Sequence, residues 1–238
     1  MTNEKLSFTT PLYESIKACI FDFDGTLVDS EENYLKADQA LLGAYGITFT
    51  KAMKAEFVGR GNAEMVATMA ARYHLPDDGP TLLAKKNKLY LDFALAHTSV
   101  FPPMWQLIEL LQQIPLPLAV ASGTSRSILD ALLKKTNLAP FFKVVLSSEE
   151  VAAPKPAPDV FLAAAQKLEV SPQSCVVLED SPYGIEAAKR AGMRVIAIPD
   201  PAVIGTLSSI FQKADLLFKQ GMSSVDATAV YAWIKRFS

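Results

Sequence analysis

The stretch KACIFDFDGTLVDS, residues 17–30, decides the fold. Ala18, Cys19, Ile20, Phe21 and Phe23 form an apolar run bounded by a glycine-centred turn, the pattern of a buried strand. Asp22 and Asp24 then stand where the strand gives way to a loop, and that rim is where open α/β sheets bind ligands. Side chains two apart on a strand point the same way, so two negative charges would share one site. A divalent cation is the simplest resolution.

Further apolar runs recur at residues 117–122, 142–148, 174–180 and 193–200, and more weakly at 214–218, separated by amphipathic stretches. Such alternation specifies βαβ units and a mostly parallel sheet. Between residues 31 and 98 it disappears. Periodic Ala, Leu, Met and Tyr broken at Gly43, Gly46, Gly59, Gly61, Pro76 and Gly79 predict several helices there. The expected organisation is an N-terminal extension (1–15), an α/β core (16–29 and 100–238) and an all-helical insert after the first strand (30–99). The two chain crossings into that insert are hinge candidates.

Composition narrows the function classes. At 238 residues the chain can bury a substantial interior, and 23 Lys+Arg against 25 Asp+Glu give a net charge of -2 without a basic run. Neither nucleic acid nor an anionic membrane is therefore an expected partner. Cys19 and Cys175 lie in apolar runs and read as small buried hydrophobes, which together with the polar start MTNEKLSFTTPLYES predicts a cytoplasmic protein. No stretch approaches the apolar length of a membrane span. His74 and His97 have no metal-like spacing, and Trp105, Trp233, Met53, Met65 and Met69 read as packing residues.

Four segments carry candidate chemistry. In the first, an aspartate can serve as a nucleophile and its neighbour two residues on as general acid and base. Gly25 permits the tight turn, and the Thr26 hydroxyl is expected to orient Asp24, while Asp29 and Ser30 read as a helix cap. In AVASGTS (119–125), Ser122 and the Gly123 amide suit a phosphate oxygen. In VAAPKPAPDVF (151–161), Pro154 and Pro156 restrict the backbone around Lys155 and make it a positioned charge. Asp159 reads as a first-turn helix residue. In VVLEDSPYGIEAAKRAGM (176–193), Glu179 and Asp180 end a strand as hard oxygen ligands suited to Mg²⁺.

This ordered set resembles the haloacid dehalogenase-like hydrolase superfamily, and the third and fourth segments are similar to its subgroup of β-phosphoglucomutases and small sugar-phosphate phosphatases. The resemblance implies a Rossmann-like core with a helical cap inserted after the first strand. Position by position it implies that Asp22 becomes an aspartyl-phosphate and that Asp24 protonates the leaving oxygen and then activates water. Ser122, Gly123 and Lys155 would bind phosphate. Asp22, the Asp24 backbone carbonyl, Glu179 and Asp180 would form the Mg²⁺ site. Haloacid dehalogenases lack the second aspartate and phosphonoacetaldehyde hydrolases place a small residue there, so Asp24 points to phosphate-ester chemistry.

The expected activity is Mg²⁺-dependent hydrolysis of a small, sugar-like phosphomonoester by a monomer. The alternatives are phosphoryl transfer of the β-phosphoglucomutase type and, last, a non-catalytic binding protein. The mutases carry a histidine after the first motif and a cap arginine that grips a second phosphate. Those positions fall near Tyr34 and Asn62 here, with Arg60 one step from the arginine slot. Glu32, Tyr34, Arg60, Asn62 and Glu64 are the candidates for substrate selectivity.

Overall fold

The computed structural model describes residues 13–57, 61–201 and 208–238. In chain order, β1 (Ala18–Phe21) and β2 (Val28–Asp29) lead into four helices, α1 (Glu31–Gly43), α2 (Lys51–Ala55), α3 (Asn62–Tyr73) and α4 (Gly79–His97). Then follow β3 (Ser99–Val100), α5 (Pro102–Leu111), β4 (Leu118–Ser122), α6 (Arg126–Lys135), β5 (Val144–Ser147), α7 (Asp159–Leu168) and β6 (Cys175–Glu179). Helix α8 (Pro182–Arg190), β7 (Arg194–Ala197), β8 (Leu216–Leu217) and a C-terminal helix, Ala227–Arg236, complete the main elements.

Six strands form a parallel sheet in the order β5-β4-β1-β6-β7-β8. The apolar runs are continuous because both faces of this sheet are covered. Cys19, Phe21, Leu118, Val120, Val176, Leu178 and Ile196 face a layer built from Met104, Leu107, Ile108, Leu129, Leu132 and Ile234. Their alternates Ala18, Ile20, Ala119, Ala121, Val177, Val195 and Ala197 face Phe161, Ala164, Ile185 and Ala188 on α7 and α8. The strand order places the ends of β1, β4 and β6 side by side, with β1 in the middle. Cys19 and Cys175 are free and buried, and burial pushes the Cys175 thiol up to about 12.

Residues 31–97 supply α1 to α4, and among the described residues of this stretch no strand occurs. Sequence periodicity misses the ribbon at its base, where β2 pairs antiparallel with β3 through Val28↔Val100 and Asp29↔Ser99. Two-residue strands are too short for an alternation signal. Asp29 is thus a strand residue, and Ser30, at the start of α1, makes no side-chain capping bond. Met65 and Met69 pack with Leu42, Phe49 and Phe57 inside the helical layer. Helix α4 buries Leu82, Lys86, Tyr90 and Ala94, one residue per turn along one face. Tyr90 and Ala94 reach the core of the sheet domain, so α4 carries side chains to the rim of the sheet.

Within the sequence-defined N-terminal extension, Tyr13 and Glu14 are held against the core. Lys189 donates to the Tyr13 hydroxyl at 2.7 Å, Ser174 to the Glu14 carboxylate at 2.7 Å and Arg194 to the Glu14 carbonyl at 2.6 Å. Among the described residues no helix is long and apolar enough to cross a membrane.

Candidate active site

The turn after β1 builds the first half of the site. The Asp22 amide still bonds the Leu178 carbonyl at 3.0 Å, which fixes Asp22 beside the end of β6. The chain then reverses, with Leu27 and Val28 amides on the Phe23 carbonyl and the Gly25 amide on that of Val28. Gly25 has φ +76°, and a β-carbon there would collide with the Asp180 carboxylate. Both the left-handed backbone and the close approach demand glycine.

The turn sends Thr26 elsewhere than its sequence position suggests. Its hydroxyl donates to Asp180 Oδ1 at 3.2 Å and not to Asp24. Asp24 is oriented by Tyr90, whose hydroxyl donates to Oδ1 at 2.7 Å, by Thr124, which donates to Oδ2, and by Tyr34, 3.4 Å from Oδ2. Burial pushes the Asp24 carboxyl above its ordinary range, while the Thr124 and Tyr90 hydroxyls pull it back. A carboxyl in that balance can hold a proton and give it up.

Lys155 comes from the loop before α7 and lies between two anions. Its Nζ donates to Asp22 Oδ1 at 2.6 Å and to Glu179 Oε1 at 2.7 Å, and it sits 4.7 Å from the Phe161 ring centroid. Burial works against the ammonium, but the Asp22 and Glu179 charges outweigh it and hold Lys155 above the ordinary lysine range. Glu179 Oε2 accepts the Ser181 amide at 2.7 Å, and Gly184 in the first turn of α8 passes so close that a β-carbon would strike the Glu179 carboxylate.

Asp22, Glu179 and Asp180 each offer a carboxylate oxygen within 4.8 Å of the others. One lysine cannot balance three buried or half-buried carboxylates. Burial pushes Asp22 up to about 8, with Lys155 opposing and Glu179 adding; Asp180 is also raised well above its usual value by burial and then by the Glu179 and Asp22 charges. Hard oxygen donors with surplus negative charge fit a small divalent cation. At the end of β4 the buried Ser122 Oγ accepts the Thr124 amide at 3.1 Å, and its own proton finds no acceptor among the described residues. A β-carbon at Gly123 would meet nothing within 4 Å. Open space therefore faces the Gly123 backbone.

Asp22, Asp24, Ser122, Gly123, Lys155, Glu179 and Asp180 all line one cavity of about 610 Å³, a volume suited to a small metabolite. The helical layer contributes Tyr34, Asp38, Lys54, Asn62, Met65 and Lys86 to its other side. Arg60 lies outside the described residues, and Glu32 pairs with Lys36 at 3.0 Å on the surface. Tyr90, Lys86 and Asp38 carry no motif. Helical spacing places Lys86 and Tyr90 on one face of α4, but that pattern reads equally as packing.

The model of the haloacid dehalogenase-like hydrolases matches residues 19–198. Among curated proteins the chain is 34% identical over 189 residues to a probable pseudouridine-5'-phosphatase of Drosophila melanogaster, covering 77% of this chain and 81% of that protein. It is 32% identical over 199 residues to the fructose-1-phosphate phosphatase YqaB of Escherichia coli, covering 79% and 98% respectively. The crystal structure of CbbY from Rhodobacter sphaeroides in complex with phosphate superposes with a TM-score of 0.76 at 28% identity, over 87% of this chain and 95% of that one. With the matched segment running from β1 to just past β7, the chain belongs to the haloacid dehalogenase-like hydrolase family.

Proposed function

We propose that the protein hydrolyses a small phosphomonoester through an aspartyl-phosphate on Asp22, with residues 30–99 acting as a cap over the leaving group. One observation carries this reading. The Asp22 carboxylate is held by Lys155 beside two further carboxylates, in the same cavity as Asp24, the Ser122 hydroxyl and the Gly123 amide. The names of the relatives, two phosphatases of small phosphorylated metabolites, support the same chemistry.

A carboxylate does not approach a phosphate dianion without compensating positive charge. Lys155 supplies one such charge, and the Ser122 hydroxyl and Gly123 amide can donate to phosphate oxygens. An Asp22 oxygen forms the bond to phosphorus as the bond to the leaving oxygen breaks, and Asp24 gives that oxygen its proton. Asp24, now ionised, takes a proton from the water that cleaves the acyl phosphate and restores Asp22. Asp22, Glu179, Asp180 and the Asp24 carbonyl would hold Mg²⁺, which when bound adds the positive charge that phosphoryl transfer requires.

The test is inorganic phosphate release by the full chain with Mg²⁺ over a panel of sugar, polyol and nucleoside monophosphates. Turnover of at least one ester, abolished by Asp22→Asn and by chelation, is expected. Release from none of them, or unchanged turnover in Asp22→Asn, would overturn the reading.

A further inference from the structure

Asp24 is aimed by side chains that the helical insert supplies. Tyr34 on α1 and Tyr90 on α4 stack with ring centroids 3.9 Å apart and planes inclined by 13°. The stack presents both hydroxyls to one carboxyl group: Tyr90 to Oδ1 at 2.7 Å, Tyr34 to Oδ2 at 3.4 Å. Thr124 donates its proton to the same Oδ2, so the single Tyr34 proton is shared between Thr124 Oγ1 at 3.0 Å and, at longer range, Oδ2. Both oxygens of Asp24 thus accept hydrogen bonds, Oδ1 from Tyr90 on α4 and Oδ2 from Thr124.

Phenylalanines would stack as well as tyrosines do, so packing does not account for the two hydroxyls converging on this carboxyl. Both hydroxyls lie within donating distance of the carboxyl oxygens. The donors come from α1 and α4, whereas Asp24 belongs to the turn after β1.

We propose that Tyr34 and Tyr90 are positioning residues that orient Asp24 toward the leaving oxygen of the substrate. This inference rests on the general-acid role given to Asp24 above. In that step the bond from Asp22 to phosphorus forms, the bond to the leaving oxygen breaks, and the electron pair left on that oxygen takes the Asp24 proton. The tyrosines keep their own protons throughout. A leaving group that departs as a stable anion needs no such proton and should be indifferent to the orientation of Asp24.

The leaving group therefore supplies the test. Values of kcat/KM are measured for p-nitrophenyl phosphate and for an alkyl phosphate that the wild-type chain hydrolyses, in Tyr90→Phe, Tyr34→Phe and Asp24→Asn, with thermal melts as a folding control. Because positioned acid–base catalysis contributes about 10²–10⁴-fold, Tyr90→Phe should shift the aryl-to-alkyl ratio by about tenfold or more, at the expense of the alkyl ester. Tyr34→Phe, with the longer bond, should shift it less and serves as the second variant should Tyr90→Phe not fold. Asp24→Asn should show the same signature in its largest form. Equal loss on both esters in the tyrosine variants, or an unchanged ratio, alongside a clear Asp24→Asn shift would overturn this inference alone. An unchanged ratio in Asp24→Asn would overturn the acid assignment and this inference with it.

Discussion

The Lys155 ammonium lies 2.6 Å from Asp22 Oδ1, and the same nitrogen is shared with Glu179 at 2.7 Å. One cation thus links the proposed nucleophile on β1 to the end of β6. Removing it as Lys155→Met leaves buried carboxylates without their partner. The expected result is a loss in kcat of about 10²–10³-fold, the scale of deleting one positioned stabiliser of transition-state charge. Thermal stability should fall further in chelator than in Mg²⁺, since a bound cation would supply part of the missing charge. Equal melting temperatures for variant and wild type in chelator would contradict this account.

Sequence legibility follows from which interactions are local. The strands could be read because a parallel sheet covered on both faces must be apolar at successive positions, and their polar ends, Asp22, Ser122 and Glu179, then marked the rim. The partners of Asp24 could not be read this way. Tyr90 is 66 residues away on a helix face where its spacing from Leu82, Lys86 and Ala94 signals only burial. Thr26 was legible as a hydroxyl near two aspartates, but the turn at Gly25 carries it to Asp180. Lys86 illustrates the opposite limit, because a lysine in a helical pattern is ordinarily assigned to solvent, whereas here it is 1% exposed.

Metal and proton should compete for the acidic cluster. Burial raises Asp22 to about 8 and Asp180 well above its usual value, so the folded chain binds protons that an unfolded aspartate has released. Stability from these groups is fully present below the unfolded aspartate value of about 4 and is lost as pH rises toward the folded value near 8. In chelator the melting temperature should accordingly fall across that window. A divalent cation replaces those protons, so the stabilisation by Mg²⁺ should grow with pH over the same range. Thermal melts at constant ionic strength with and without Mg²⁺ measure both slopes, and a Mg²⁺ increment that shrinks with rising pH would refute the assignment.

Gly25 and Gly123 make opposite predictions. A side chain at Gly25 meets both a left-handed backbone, φ +76°, and the Asp180 carboxylate. Gly25→Ala should therefore destabilise the fold by about 1–3 kcal/mol from the backbone alone, with the collision in addition. At Gly123 a β-carbon enters open cavity, so Gly123→Ala should leave stability within about 0.5 kcal/mol of wild type. Its cost should fall on the ligand: a rise in KM of about tenfold corresponds to about 1.4 kcal/mol of lost phosphate contact. Urea unfolding and steady-state kinetics separate the two outcomes.

Lys86 and Asp38 form an ion pair at 2.6 Å with side chains 1% and 2% exposed, on the helical side of the cavity. Burial pulls Lys86 below and pushes Asp38 above their ordinary ranges, and each charge partly restores the other. Lys86→Met should cost about 3–5 kcal/mol because Asp38 is left buried without its cation. The cost should rise with pH, since deprotonating the orphaned, raised carboxyl is what the folded state resists. The double variant Lys86→Met with Asp38→Leu removes both charges and should recover most of that loss, because apolar replacements of a buried pair are often neutral or stabilising. Urea midpoints for the two single variants and the double complete the cycle. A double variant as unstable as the sum of the singles would show that the pair holds the helical layer through contacts other than its charges.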